Sequence, residues 1–138
     1  MLTAIIIDDE KNSSEYLNNL LTRYFTAQIH VCDTASNIQD GVELIRLNNP
    51  DIVFLDIEMP NENGFKLFDY FNGDASFEVV FTTAHEEYAI KAIKNNAFDY
   101  LLKPVDKMDI MSLLKKYENR KAERKKSEIS LFNIKKGD

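Results

Sequence analysis

At 138 residues, with 44% hydrophobic and 29% charged side chains, the chain suffices for one globular domain with a tail and excludes both two comfortable domains and wholesale disorder. Its single cysteine excludes an internal disulfide, no run approaches the roughly 20 apolar residues that span a bilayer, and the N-terminus lacks a secretory pattern, so a cytoplasmic location without membrane contact is expected. The net charge of −6 is uneven, because residues 119–138 carry seven Lys/Arg against three Asp/Glu and residues 1–118 carry ten against twenty; an acidic body is a poor match for nucleic acid.

The first apolar run, LTAIII, begins at residue 2 and stops abruptly at Asp8, Asp9 and Glu10. Crowded acids at the end of a buried strand repel one another unless something positive lies among them. A helix is predicted next from the spacing of Tyr16, Leu17, Leu20, Leu21 and Tyr24, with Asn12, Ser13 and Ser14 as caps and Asn12 and Glu15 as a capping pair. A second strand, IHVCD, starts near residue 29, and Cys32 is expected there as a small buried residue. Val42, Leu44 and Ile45 mark the second helix, which Asn49 and Pro50 end. DIVFLD is the third strand and closes on Asp56; Asn61 to Gly64 then supply turn residues before a third helix. FEVVFTT, from residue 77, closes on Thr82, Thr83 and Ala84. After a fourth helix, FDYLL starts near residue 98 and closes on Lys103 and Pro104. Asp106 can cap a last helix that begins at Lys107 and runs through Met111, Leu114 and Tyr117 into the basic tail.

One strand therefore arrives about every 25 residues, a spacing that suits repeated βα units. The runs are nearly continuous in apolar character, as for parallel strands covered on both faces. The predicted fold is an α/β doubly wound sheet of five parallel strands, in which ligands bind outside the carboxyl ends of the strands. If the first and third strands are neighbours, Asp8, Asp9 and Asp56 converge on one crevice. Hard oxygen ligands with open positions suit Mg²⁺, with Mn²⁺ as a substitute; the plain alternative is a solvated acidic rim. Thr83 adds a hydroxyl and Lys103 an ammonium, which completes the parts needed for phosphoryl transfer to a carboxylate, with Asp56 as the nucleophile.

The combination IIIDDE, FLDIEMPNENG, FTTAH and DYLLKP, in this order over residues 1–118, resembles the CheY-like receiver domain of two-component response regulators. The resemblance implies a flavodoxin-like (βα)5 fold with strand order 2-1-3-4-5 and phosphoryl transfer from a sensor histidine kinase onto Asp56. It also implies a metal held by Asp9, Asp56 and the backbone carbonyl of Glu58, with Asp8 acting through water. Lys103-Pro104 matches the family's cis peptide bond, Thr83 and Tyr100 match its switch pair, and MPNENG matches the loop shaped by Pro60 and Gly64. Glu58 and His85 occupy variable positions flanking the path of the hydrolytic water, and the pair is expected to tune autodephosphorylation.

In the family, the surface of the fourth helix, fifth strand and fifth helix reports the state, and dimerisation through it is the expected readout. Ala89, Ala92 and Ala97 with Tyr88 and Ile93 resemble receivers attached to LytTR-type DNA-binding domains, although the same residues also suit ordinary packing of a helix on a sheet. Residues 119–138 read as a basic linker or the start of a missing output domain, with ISLFNI as its first strand; DNA would be reached only through that domain. A stand-alone receiver is the alternative. The chain is not expected to be a turnover enzyme, since the DxDx(T/V) pattern of haloacid-dehalogenase-type hydrolases does not occur in it.

Overall fold

The computed structural model describes residues 1–60, 62–72 and 76–136, with side chains to residue 129. In chain order the elements are β1 (Leu2–Ile7), α1 (Lys11–Tyr24), β2 (Ile29–Ala35), α2 (Ile38–Asn48), β3 (Ile52–Asp56), a 3₁₀-helix (Gly64–Tyr70), β4 (Glu78–Thr83), α3 (Tyr88–Lys94), β5 (Asp99–Leu102) and α4 (Lys107–Lys136). The five strands form one parallel sheet in the order β2-β1-β3-β4-β5, as the resemblance implies. The chain divides into two compact units, Met1–Val105 and Asp106–Asp138.

In the first unit the register fixes where the strand ends meet. Ile7 pairs with Leu55 and Asp56 with Thr82, while Thr83 pairs with Leu102, so the carboxyl ends of β1, β3, β4 and β5 lie side by side. Alternate side chains leave opposite faces of the sheet. Ile5, Ile7, Val53, Leu55, Val79 and Phe81 belong to one buried cluster with Ile38, Val42 and Ile45 of α2 and Leu67 of the 3₁₀-helix. Ile6, Phe54 and Val80, one step along each strand, are equally buried. This two-sided burial is why the central strands read as unbroken apolar runs.

The edge strand β2 departs from that expectation. Its residues His30, Asp33 and Thr34 are exposed, because an edge has a neighbour on one side only. Its register against β1 shifts between Ala4 and Ile5, so that Val31 and Asp33 take consecutive partners and Cys32 is passed over. Cys32 is consequently half-buried against the core rather than fully enclosed.

Helix boundaries agree with local chemistry in three places. Asn37 caps α2, its side chain accepting from the Asp40 N–H at 2.8 Å, and Asn49 ends that helix in the left-handed conformation with φ 46°. Asn63 accepts from the Phe65 N–H at 2.9 Å at the start of the 3₁₀-helix. The turn expected from Asn61 to Gly64 is described from Glu62 onward, Asn61 lying outside the described residues.

Two helical segments start differently from expectation. Helix α1 begins at Lys11, with Glu10 at the cap and no capping side chain, so Asn12, Ser13 and Ser14 fall inside the helix. The Glu10 N–H is instead taken by the Asp8 carboxylate at 2.9 Å. The third helix is a single stretch of 3₁₀ rather than α-helix. It opens directly from a doubled-back loop, in which Glu58 bridges Asn63 and the Gly64 N–H donates to the Ile57 carbonyl at 2.9 Å.

The second unit is one long helix, α4, and Asp106 caps it as predicted. The Asp109 N–H donates to Asp106 Oδ1 at 2.9 Å and the Asp106 N–H returns a bond to Asp109 Oδ2 at 3.1 Å. Residues 129–134, predicted as a strand, continue this helix. A lone strand leaves its N–H and C=O groups unpaired, whereas a helix satisfies them within the segment. Gly137 and Asp138, the end of the tail, lie outside the described residues.

Candidate functional site

The buried residues that end the strands converge as their registers dictate. Asp8 follows β1 directly, anchored by its N–H on the Ala35 carbonyl at 3.0 Å, and Asp56 is the last residue of β3; both are buried. One carboxylate oxygen from each of Asp8, Asp9 and Asp56 lies within 4.8 Å of the others. Lys103, just past β5, reaches into this cluster with Nζ 2.9 Å from Asp8 Oδ2 and 3.6 Å from Asp56 Oδ1. Its own N–H donates to the Thr83 carbonyl at 2.7 Å, and the Lys103–Pro104 peptide bond is cis.

One ammonium does not balance three carboxylates. Burial pushes the Asp56 carboxyl up to about 7, the Lys103 charge working against the rise and the Asp8 charge adding to it. For Lys103, burial alone would favour the neutral amine, but the hydrogen bond to Asp8 and the charge of Asp56 outweigh it and hold the ammonium above its ordinary range. Asp9 Oδ1 is buried without a hydrogen-bond partner among the described residues. An orphaned buried carboxylate oxygen, two neighbouring carboxylates and all-oxygen donor chemistry fit a divalent cation of the Mg²⁺ type.

A second group of polar side chains borders the acids. Thr83, buried at the end of β4, donates its hydroxyl to Glu58 Oε1 at 3.3 Å and accepts the His85 N–H at 3.1 Å. Glu58 Oε2 lies 3.4 Å from His85 Nε2, and Glu87 Oε1 lies 3.6 Å from His85 Nδ1. The Glu58 N–H donates to Asp56 Oδ1 at 3.3 Å, which ties this group to the acids. Tyr100 pairs in register with Phe81 and is half-buried against the core.

Gly64 closes the loop over this region. A Cβ on it would stand 2.5 Å from the Asp56 carbonyl oxygen and 3.1 Å from Ile57 Cα, so only a residue without a side chain lets the loop return so near the acid.

Sequence reasoning missed two features. Glu87 lies in a polar run with no motif to mark it. A cavity of about 410 Å³ flanks Asp8 and Lys103, lined among others by Ser13, Tyr16, Leu17, Pro104 and Val105. Tyr16, half exposed on α1, borders this cavity, and no sequence motif marks it.

A parallel sheet in 2-1-3-4-5 order, with acids and a lysine gathered at its carboxyl edge, defines a doubly wound signalling domain of the CheY-like fold. The family model described as "Response regulator receiver domain" matches residues 4–115, and the chain belongs to this family. It is 47% identical over 106 residues to an uncharacterized response regulatory protein of Vibrio cholerae, covering 77% of this chain and 44% of that one. It is 38% identical over 125 residues to the sensory transduction protein LytT of Bacillus anthracis, covering 88% of this chain and 49% of that one. Among solved structures it resembles the response regulatory domain of protein mrkE from Klebsiella pneumoniae, with a TM-score of 0.73, 29% identity, and coverage of 86% of this chain and 97% of that one. The chain thus spans about half the length of the curated relatives it matches.

Proposed function

We propose that this chain is a phosphoacceptor receiver that takes a phosphoryl group from a histidine of a sensor kinase onto Asp56. The observation that carries this reading is the cluster of Asp8, Asp9 and Asp56 with the Lys103 ammonium set into it. An Asp56 carboxylate oxygen attacks phosphorus; the P–O bond forms as the P–N bond breaks, and the bonding pair stays on the departing imidazole nitrogen. Lys103 offsets charge on the phosphoryl oxygens, and Thr83 donates to one of them. Asp9, Asp56 and the Glu58 carbonyl would hold Mg²⁺ directly and Asp8 through water. When bound, the cation neutralises charge on the phosphoryl group.

Residues 1–118 form the receiver in this reading, and residues 119–138 lead toward an output domain. The half-length match to LytT supports an attached LytTR-type DNA-binding domain through which transcription is controlled. Thr83 and Tyr100 serve as the switch, and the surface of the fourth and fifth helical segments with β5 carries the readout by dimerisation. Ile90 and Ile93, three residues apart on α3 and exposed, suit such a contact. Glu58 and His85 tune hydrolysis of the aspartyl phosphate; rates of phosphoryl loss within about twofold of the parent in both alanine variants would withdraw that role.

The test is the mass and oligomeric state of the chain after incubation with Mg²⁺ and acetyl phosphate, with Asp56→Asn as control. A Mg²⁺-dependent gain of one phosphoryl group, absent in the control, is expected. No adduct, or the same adduct in the control, would remove Asp56 from the acceptor role.

A further inference from the structure

Thr83 has one hydroxyl proton, and in this structure Glu58 holds it. The residue is buried, its single proton is donated to Glu58 Oε1, and its oxygen accepts the His85 N–H. Glu58 is in turn braced from the far side, its second oxygen facing His85 Nε2 at 3.4 Å, and His85 is faced on its other nitrogen by Glu87 at 3.6 Å. The Glu58 backbone N–H bonds Asp56 Oδ1, so the residue that holds the threonine sits beside the carboxylate assigned as acceptor.

A phosphoryl group on Asp56 presents a second anion to the same donor. One proton cannot serve both oxygens, so Thr83 turns to the phosphoryl group only by leaving Glu58. We propose that the Glu58 side chain is a latch on Thr83, holding the hydroxyl in the unphosphorylated arrangement and setting how much of the phosphoryl group's attraction is spent on release. The inference rests on the receiver reading and assigns Glu58 a positioning role distinct from tuning hydrolysis, since a latch acts on an equilibrium and not on the loss of phosphate.

Equilibrium binding of a phosphoryl stand-in separates the two. Beryllium fluoride with Mg²⁺ is titrated into the full chain and the bound species followed by fluorine NMR, in the parent, Glu58→Ala, Thr83→Val and the double variant. Loss of a half-exposed, charge-assisted hydrogen bond corresponds to about three- to tenfold, so Glu58→Ala should bind that much more tightly than the parent. The gain should disappear in the Thr83→Val background, where there is no hydroxyl to hold. Valine keeps the branched shape of threonine, and thermal melts confirm that each variant is folded before titration.

The same gain with and without the threonine hydroxyl would show simple relief of charge repulsion and overturn the latch, as would no gain at all. Absence of binding in the parent chain would overturn the receiver reading and the latch with it, an outcome distinct from unchanged affinity in Glu58→Ala.

Discussion

At Asp56, solvation and charge work in opposite directions. Burial and the Asp8 charge hold its carboxyl near 7 in spite of Lys103, whereas in the unfolded chain it titrates near the usual 3.8. The folded state therefore binds this proton more tightly than the unfolded state. The resulting stability is fully present below about pH 4 and is lost as the pH rises through 7. In metal-free buffer, Asp56→Asn should stabilise the fold by about 2–4 kcal/mol at pH 8, a gain that shrinks toward zero at pH 4. Urea denaturation in EDTA across that range measures it; a gain that does not change with pH would contradict the account. Lys103→Met acts in the opposite sense. It strips Asp8 of its 2.9 Å partner and leaves buried acids without a cation, with an expected loss of about 3 kcal/mol in the same assay. Asp8, Asp9, Asp56, Thr83 and Lys103 were legible in the sequence because each lies at the end of an apolar run, and parallel strands bring such ends together. The Glu58 to Thr83 bond and the part of Glu87 were not, because the first joins residues 25 apart in the chain and the second lies in the loop after β4, and both depend on loop torsions that no periodicity encodes.

Among the elements, strands were easier to read than helix starts. Burial on both faces writes itself into β1, β3 and β4 as continuous apolar runs, and those runs gave the sheet. A helix cap depends on which nearby oxygen reaches the backbone first. At α1 the Asp8 carboxylate takes the Glu10 N–H, so the serine and asparagine expected as caps are left inside the first turn. The 3₁₀-helix was hidden for a related reason, since its start is set by the Gly64 approach to the Asp56 carbonyl and not by its own apolar spacing. That approach predicts the response to a side chain. Gly64→Ala places a methyl 2.5 Å from a backbone oxygen that has no free rotor to yield, so the β3 to 3₁₀ loop must shift. The expected cost is about 1–3 kcal/mol by urea denaturation, with weaker beryllium fluoride binding because the clash falls on the Asp56 and Ile57 backbone and displaces the acceptor itself. Unchanged stability would mean that the loop moves freely. At α2, Asn37→Ala removes the bond to the Asp40 N–H and should cost about 1 kcal/mol without altering that binding.

On the scale of the molecule, charge and helix length set the tail apart. Residues 119–138 carry seven basic against three acidic side chains, opposite in sign to the body, and their described part belongs to a helix that runs on to Lys136. From Lys115 to Glu128 the sequence is polar on every face, with Ala122 the only aliphatic side chain. A helix of that kind draws its stability from charge pairs three and four residues apart and not from an apolar face, so it forms and frays largely by itself. Ending the chain at Glu118 should therefore lower helical ellipticity while leaving the unfolding midpoint within about 2 °C and the Mg²⁺-dependent phosphoryl gain intact. Added salt should lower the ellipticity of the full chain and have little effect on the shortened one, because the charge pairs that support the extra turns are screened. A fall of the midpoint by more than about 5 °C on truncation would instead make residues 119–136 part of the receiver's own stability, and the boundary proposed at residue 118 would have to move toward the C-terminus.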